Sequence, residues 1–352
     1  MANRTPYIFW RVLLCLFAGV IAPLSLAPFD YWYLGGISVA LLFISLHNCS
    51  PRIGGWLGWC YGLGFFGAGV SWVFVSIHEH GNASSLLAGS MTFLFVAALA
   101  ILFSIQSWIY TRFFRNAIGF CALWLLFEWL RSWLLTGFPW LYLGYGLIDT
   151  PMAAFAPLGG IWFLSLYVVL VGTLSVTFFK RLNHPLQSAA ILMLLAIPWV
   201  AIQQEKVPED WTSPIGEPVD VMLVQANTPQ EEKWIRSNLD NILQTYVDLS
   251  QDSDKVDLLI WPETAIPTFY KSASAMLSPL IEQLEQSNTA MISGIPTMYL
   301  DPEHPKGRRY TNSLTLFAGG SGSYDKQRLV PFGEYVPLEH QLRGIIDFFD
   351  LP

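Results

Sequence analysis

The sequence predicts two unlike parts: a bundle of membrane-spanning α-helices over 1–204, then a water-soluble α/β domain over 205–352. Three observations predict it. Only 13% of the 352 residues are charged and 53% are hydrophobic, whereas an ordinary soluble domain has about 25% charged residues. The charges are segregated. Through Gln204 there are eight Lys/Arg and four Asp/Glu (Asp30, Glu79, Glu128 and Asp149), while the remainder carries eleven bases and twenty-two acids, a net charge of −11. Beyond Gln204, short β-branched runs also begin to alternate with amphipathic segments. That second part is too acidic for a nucleic-acid binder.

The apolar part contains about seven candidate spans, at 8–28, 31–46, 53–77, 86–110, 117–135, 161–179 and 187–202, each near the ~20 residues that cross hydrocarbon, the second and last being short. The N-terminus has the charged start of a signal peptide. It lacks a clean small-residue cleavage site and more spans follow, so the first stretch reads as an uncleaved span. Lys and Arg concentrate in cytoplasmic loops. Arg4 and Arg11, Arg52, Arg112 with Arg115, and Lys180 with Arg181 occupy alternate connections, while 29–30, 78–85 and 136–160 contain neither residue type. This alternation places the N-terminus in the cytoplasm and everything after Gln204 outside.

The 136–160 connection is nearly uncharged and sets Phe138, Trp140, Tyr142, Tyr145 and Phe155 among Gly and Pro. It reads either as a re-entrant or interfacial element that admits lipid to a site, or as an ordinary aromatic belt. Glu128 and Arg131, three residues apart near the outer end of span five, can share one helix face. Intramembrane ions are functional suspects; close to an interface, a mutually paired structural couple is the plainer reading.

In the soluble part, Val219–Gln225 reads as a strand and Trp234–Leu249 as an amphipathic helix. Next come Asp257–Trp261 as a buried strand, Ser272–Gln286 as a helix, and Thr289–Ile295 and Tyr310–Ala318 as strands, the last running into Gly319-Gly320-Ser321-Gly322. All four cysteines (Cys15, Cys49, Cys60, Cys121) fall in the apolar part, so the soluble part has no thiol and its redox compartment is not readable.

Glu263 follows the run LLIW within WPETAIP (261–267), at the carboxyl end of a buried strand, the usual position of ligand and catalytic groups in open α/β sheets. Pro262 and Pro267 restrict the loop on both sides. The residue reads as a general base, partly desolvated, or as a turn carboxylate accepting backbone hydrogen bonds. Lys326, in YDKQRLVPFGEYVP (324–337), reads as an oxyanion-stabilising ammonium or as a solvated lysine beside a hairpin. Glu334, flanked by Gly333 and Pro337, reads as a third site residue or a loop cap. The six histidines are scattered, with no ligand spacing beyond His78 and His80, so no metal and no cofactor is expected.

WPETAIP and YDKQRLVPFGEYVP together, behind an apolar bundle and a domain opening with VMLVQAN (221–227), resemble the apolipoprotein N-acyltransferases, the membrane-bound branch of the nitrilase superfamily. The resemblance implies an αββα-type domain facing the periplasm from a bacterial cytoplasmic (inner) membrane. It implies transfer of a fatty acyl group from a phospholipid donor to the N-terminal amine of an apolipoprotein's diacylglyceryl-cysteine, by a ping-pong acyl-thioester route. It assigns the base to Glu263, the oxyanion lysine to Lys326 and the later glutamate to Glu334. Trp234 aligns with a tryptophan needed for the reaction, and Trp140 and Tyr142 become candidate lipid contacts. The family's nucleophilic cysteine is expected beyond Pro352, so the 352-residue chain by itself is expected to be inactive and its soluble domain incomplete. The alternatives are a membrane-tethered nitrilase or amidase acting on a small C–N substrate, and a catalytically inactive membrane or interaction protein.

Overall fold

The computed structural model describes residues 5–80, 83–203, 212–302 and 307–329. Two compact units divide the described chain near residue 213, one helical and one built on a sheet.

The helical unit contains α1 (Thr5–Ile21), α2 (Trp32–Ser45), α3 (Pro51–Gly69), the short α4 (Trp72–Val75), α5 (Ser85–Ile109), α6 (Ala117–Arg131), α7 (Ala156–Lys180) and α8 (Pro185–Gln203). Each arises from an apolar stretch with few charges, and the starts of α3, α5 and α6 are capped. Ser50, Ser84 and Asn116 accept hydrogen bonds from the backbone N–H groups of Ile53, Leu87 and Gly119, satisfying donors that a helix start leaves unpaired. Among the described residues, four helical segments are long and apolar enough to cross a membrane: Ile8–Ser25, Ser85–Phe114, Pro151–Lys180 and Pro185–Gln203. Pro51–Gly69 with Trp72–Glu79 makes a fifth if that pair is one span. α2 has 14 residues and so rises about 21 Å, less than the ~30 Å of a hydrocarbon core.

The expected third span is not one straight helix. It bends by 57° between Gly69 and Trp72, and beside the bend the side chain of Leu141 fills the space that a Cβ at Gly69 would occupy. α7 is likewise irregular at its start: Gly160 has φ +64°, a conformation that only glycine takes freely, and regular helix continues from 161.

Close approach of α1, α3 and α5 rests on small residues. A Cβ at Gly62 would lie 2.7 Å from the Cα of Ala100, and one at Gly64 would lie 3.2 Å from the Cα of Gly19. Without a hydrophobic drive between helices in lipid, such backbone approach and interhelical hydrogen bonds supply the attraction. Ser38 shows the second kind, donating to the Ala18 carbonyl at 2.6 Å and sharing a 2.8 Å bond with the Tyr61 hydroxyl. Glu128 and Arg131 on α6 are both buried. The two opposite charges attract one another as expected, and each also grips the chain beyond the helix: Glu128 Oε1 accepts from Leu143 N–H (3.3 Å), and Arg131 donates to the Leu141 carbonyl (3.4 Å).

The second unit is a five-stranded mixed sheet in the order β1-β2-β3-β4-β5, with β1 (Val221–Leu223), β2 (Leu258–Ile260), β3 (Ala290–Leu300), β4 (Arg308–Ala318) and β5 (Ser323–Asp325). β1, β2 and β3 are parallel; β4 runs antiparallel to both β3 and β5. Helical connections α9 (Gln230–Lys233), α10 (Leu239–Leu249), α11 (Tyr270–Met276) and α12 (Ser278–Ser287) provide the crossovers that parallel strands require. Two expected helices are shorter or divided. Trp234 and Ile235 precede α10 and are exposed, and the 272–286 segment breaks at Leu277, where Pro279 begins a new helix. Leu259, Trp261, Ile266, Leu284, Met291 and Ile295 are fully buried in the core.

Candidate active site

Glu263 leaves the carboxyl end of β2 in a turn clamped from both sides. Before it, Trp261 is fully buried, stacks on Tyr246 with ring centroids 4.8 Å apart, and donates its indole N–H to Ser250 Oγ at 3.0 Å. After it, Ala265 and Ile266 are buried. Backbone bonds tie this turn to β3: Trp261 N–H to the Ile292 carbonyl (2.9 Å), Gly294 N–H to Pro262 (3.2 Å) and Ile266 N–H to Gly294 (3.3 Å). Gly294 is needed for the approach, since a Cβ there would lie 2.6 Å from the Cα of Glu263. Thr264 has φ +49°, a strained conformation for a β-branched residue. The strain turns its hydroxyl back toward β4.

Lys326 comes from the other side of the sheet order. It follows β5, whose register pairs Ser313 with Asp325, and its own N–H donates to the Asn312 carbonyl at 2.8 Å. Asp325 anchors this strand. Its Oδ1 accepts from the hydroxyls of Ser313 (2.6 Å), Tyr299 (3.2 Å) and Thr311 (3.4 Å). The Ser313 bond is the largest cause holding the Asp325 carboxyl below the usual aspartate range.

These elements bring the Lys326 ammonium to 3.0 Å from Glu263 Oε1. The side-chain amide of Asn312 donates to the same oxygen at 2.5 Å, and the Thr264 hydroxyl donates to Asn312 Oδ1 at 3.2 Å. Glu263 Oε2 has no hydrogen-bond partner among the described residues. One carboxylate oxygen is thus held by an amide and an ammonium, and the other is left to take a proton. The ammonium beside it is placed to meet a developing oxyanion. The carboxylate is 62% exposed and the lysine side chain 30%, so the described site is open to solvent rather than desolvated.

The other expected site residues are placed as follows. Trp234 ends α9 with its ring exposed. Glu334 lies outside the described residues. Trp140 is exposed in the helical unit, stacked on Phe138 at 5.0 Å and 5.8 Å from Trp72. Tyr142 is closed off from solvent, with the Arg131 guanidinium 4.8 Å from its ring centroid. All four cysteines are buried in the helical unit. Asn312 and Thr264 were not anticipated. The available signal was an asparagine in the middle of an apolar-alternating strand, a position where that residue is depleted.

A glutamate in the turn after a buried strand, met by a lysine that follows a later strand, occurs in a chain that also holds helices long and apolar enough to cross a membrane, and its family match makes it a member of the carbon–nitrogen hydrolase class. Residues 221–348 match the family model described as "Carbon-nitrogen hydrolase" and residues 18–174 the one described as "Apolipoprotein N-acyltransferase N-terminal domain". The chain belongs to the apolipoprotein N-acyltransferase family. It is 44% identical over 351 residues to a protein of Pseudomonas syringae pv. tomato named "Apolipoprotein N-acyltransferase", spanning 97% of this chain and 68% of that one. Proteins of the same name from Pseudomonas aeruginosa (43%; 97% and 67%) and Coxiella burnetii (38%; 97% and 70%) are similar over comparable shares.

Proposed function

We propose that this chain carries the general base and oxyanion group of an N-acyltransferase of the bacterial inner membrane, acting on the diacylglyceryl-cysteine of apolipoproteins with a phospholipid as acyl donor. The single observation that carries the reading is the convergence of Lys326 and Asn312 on Glu263 Oε1, in a chain that joins this site to apolar helices long enough to cross a bilayer. Family membership supplies the chemistry to which that geometry is matched.

The reaction runs in two halves. Glu263 takes the proton of a cysteine thiol, which the family resemblance assigns to a position beyond Pro352. The thiolate attacks the ester carbonyl of the phospholipid, and Lys326 stabilises the tetrahedral oxyanion. The C–O bond breaks, the proton passes from Glu263 to the departing lysophospholipid oxygen, and an acyl-thioester remains. The lipoprotein's α-amine then attacks the thioester, loses its proton to Glu263 and releases the thiolate. Dividing one difficult transfer into two easier ones is the benefit of the covalent intermediate.

In this reading the apolar part crosses the membrane seven times, with the N-terminus cytoplasmic and the sheet unit periplasmic, as the Lys/Arg alternation requires. Short α2 and bent α3–α4 each count as one crossing. Glu334 supports the site, and Trp234 and the exposed Trp140 contact the lipid substrates. Tyr142 contributes by holding the segment that carries Trp140.

The test is the protein expressed from its whole open reading frame in a bacterium depleted of its own N-acyltransferase. Expected is growth with triacylated lipoproteins by mass spectrometry, lost in Glu263→Gln, and periplasmic activity of a phosphatase reporter fused at residue 213. Lipoproteins that stay diacylated with the unaltered protein present, or a cytoplasmic reporter, would overturn the reading.

A further inference from the structure

Between α5 and α6, in the helical unit, three polar side chains line one small void. Gln106, Glu128 and Arg131 are each at most 5% exposed, and they line the void together with Phe103, Trp124 and Phe127. Among the described residues, three of their atoms have no hydrogen-bond partner: Gln106 Nε2, Glu128 Oε2 and Arg131 Nε. The Tyr142 hydroxyl beside Arg131 is also without a partner among the described residues, and the Ser165 hydroxyl lies close to Glu128. Glu128 Oε1 accepts from the Trp124 indole (3.0 Å) and from Leu143 N–H, and Arg131 donates to the Leu141 carbonyl while its guanidinium lies over the Tyr142 and Phe66 rings.

We propose that this void is a binding site for a single ordered water, which accepts from Gln106 Nε2–H and Arg131 Nε–H and donates to Glu128 Oε2. The stoichiometry fits: two donors and one acceptor face a molecule that offers two lone pairs and two protons, and buried waters make about three such bonds. The size fits too. The space open to a water-sized sphere is about 10 Å³, enough for one water and too small for an acyl chain or a headgroup. Inside a bilayer-spanning bundle no bulk solvent is at hand, so buried groups of this kind must be satisfied internally.

The water does more than fill space. It links α5 to α6 at the level where α6 grips the backbone at 141–143. That backbone continues from the exposed Trp140.

The experiment is X-ray radiolytic footprinting of the intact protein in lipid nanodiscs, mixed with H2(18)O immediately before the pulse. Expected is oxidation of Trp124 by retained (16)O, about 10-fold above that of the equally buried Phe120, because hydroxyl radicals form from the bound water itself. The exposed Trp133 takes up (18)O. Gln106→Met, which keeps the side-chain length but removes the amide, should lower the label on the void wall to the Phe120 level and leave Trp133 unchanged. A wall label in the unaltered protein no higher than that of Phe120 would overturn the proposal, even if the variant does not fold. A wall label undiminished in folded Gln106→Met would do so as well.

Discussion

Asn312 Nδ2 donates to Glu263 Oε1, the same carboxylate oxygen that receives the Lys326 ammonium. The two residues are 49 positions apart, and Asn312 also takes the backbone N–H of Lys326 on its carbonyl. One strand residue therefore positions both the acid and the amine.

Asn312→Ala should slow acyl transfer by about 10- to 100-fold, because a misplaced reacting group loses orientation. The fold should lose only about 1 kcal/mol, the net worth of an ordinary hydrogen bond. Single-turnover thioester formation and chemical denaturation of the protein from the whole reading frame measure the two separately. Equal rates in variant and parent would remove Asn312 from the site.

Lys326→Met should change stability by no more than about 1 kcal/mol, since the ion pair is partly exposed and screened. Its effect on the chemical step should be far larger, about 10²- to 10³-fold, if the ammonium meets the oxyanion. The comparison is kcat against the unfolding midpoint. A loss of stability in proportion to the loss of rate would point to a structural ion pair.

Gly294→Ala places a methyl group against the backbone of Glu263 and Thr264. Neighbours that are backbone atoms cannot rotate away, so overpacking should cost about 1–3 kcal/mol and displace the turn. Denaturation midpoints and acyl transfer should both fall. A variant with unaltered stability would show that the turn yields more readily than this contact implies.

Asp325 titrates below the ordinary aspartate value of about 3.9. A carboxyl whose folded value is depressed adds stability that is complete above its unfolded pKa and is lost as pH falls through the folded value. Ser313→Ala removes the largest cause, so the carboxyl resonance of Asp325 should titrate closer to about 3.9, and stability should depend less on pH below it. Carboxyl-detected NMR titration reads this directly. A midpoint unmoved by the substitution would mean that Tyr299 and Thr311 suffice.

Much of the layout was readable because its causes are local. The turn WPETAIP follows an apolar run that becomes β2 and the buried Trp261. The Lys/Arg-poor and Lys/Arg-rich connections bracket apolar stretches that become helices. The departures come from contacts distant in sequence. Leu141 packs against Gly69 beside the bend, and Glu128 and Arg131 hold backbone at 141–143. Trp234 and Ile235 fit a helical period, yet they stay outside α10 and remain exposed.

By itself the sequence determined the division into an apolar helical part and an acidic α/β part, and the two turns that hold Glu263 and Lys326, because hydropathy, charge and proline act over a few residues. Only the tertiary structure decided that these side chains, 63 positions apart, meet at 3.0 Å with Asn312 on the same oxygen. Their meeting depends on β3 lying between β2 and β4 and on the register of β4 with β5. A shift of one residue there would turn every side chain to the opposite face.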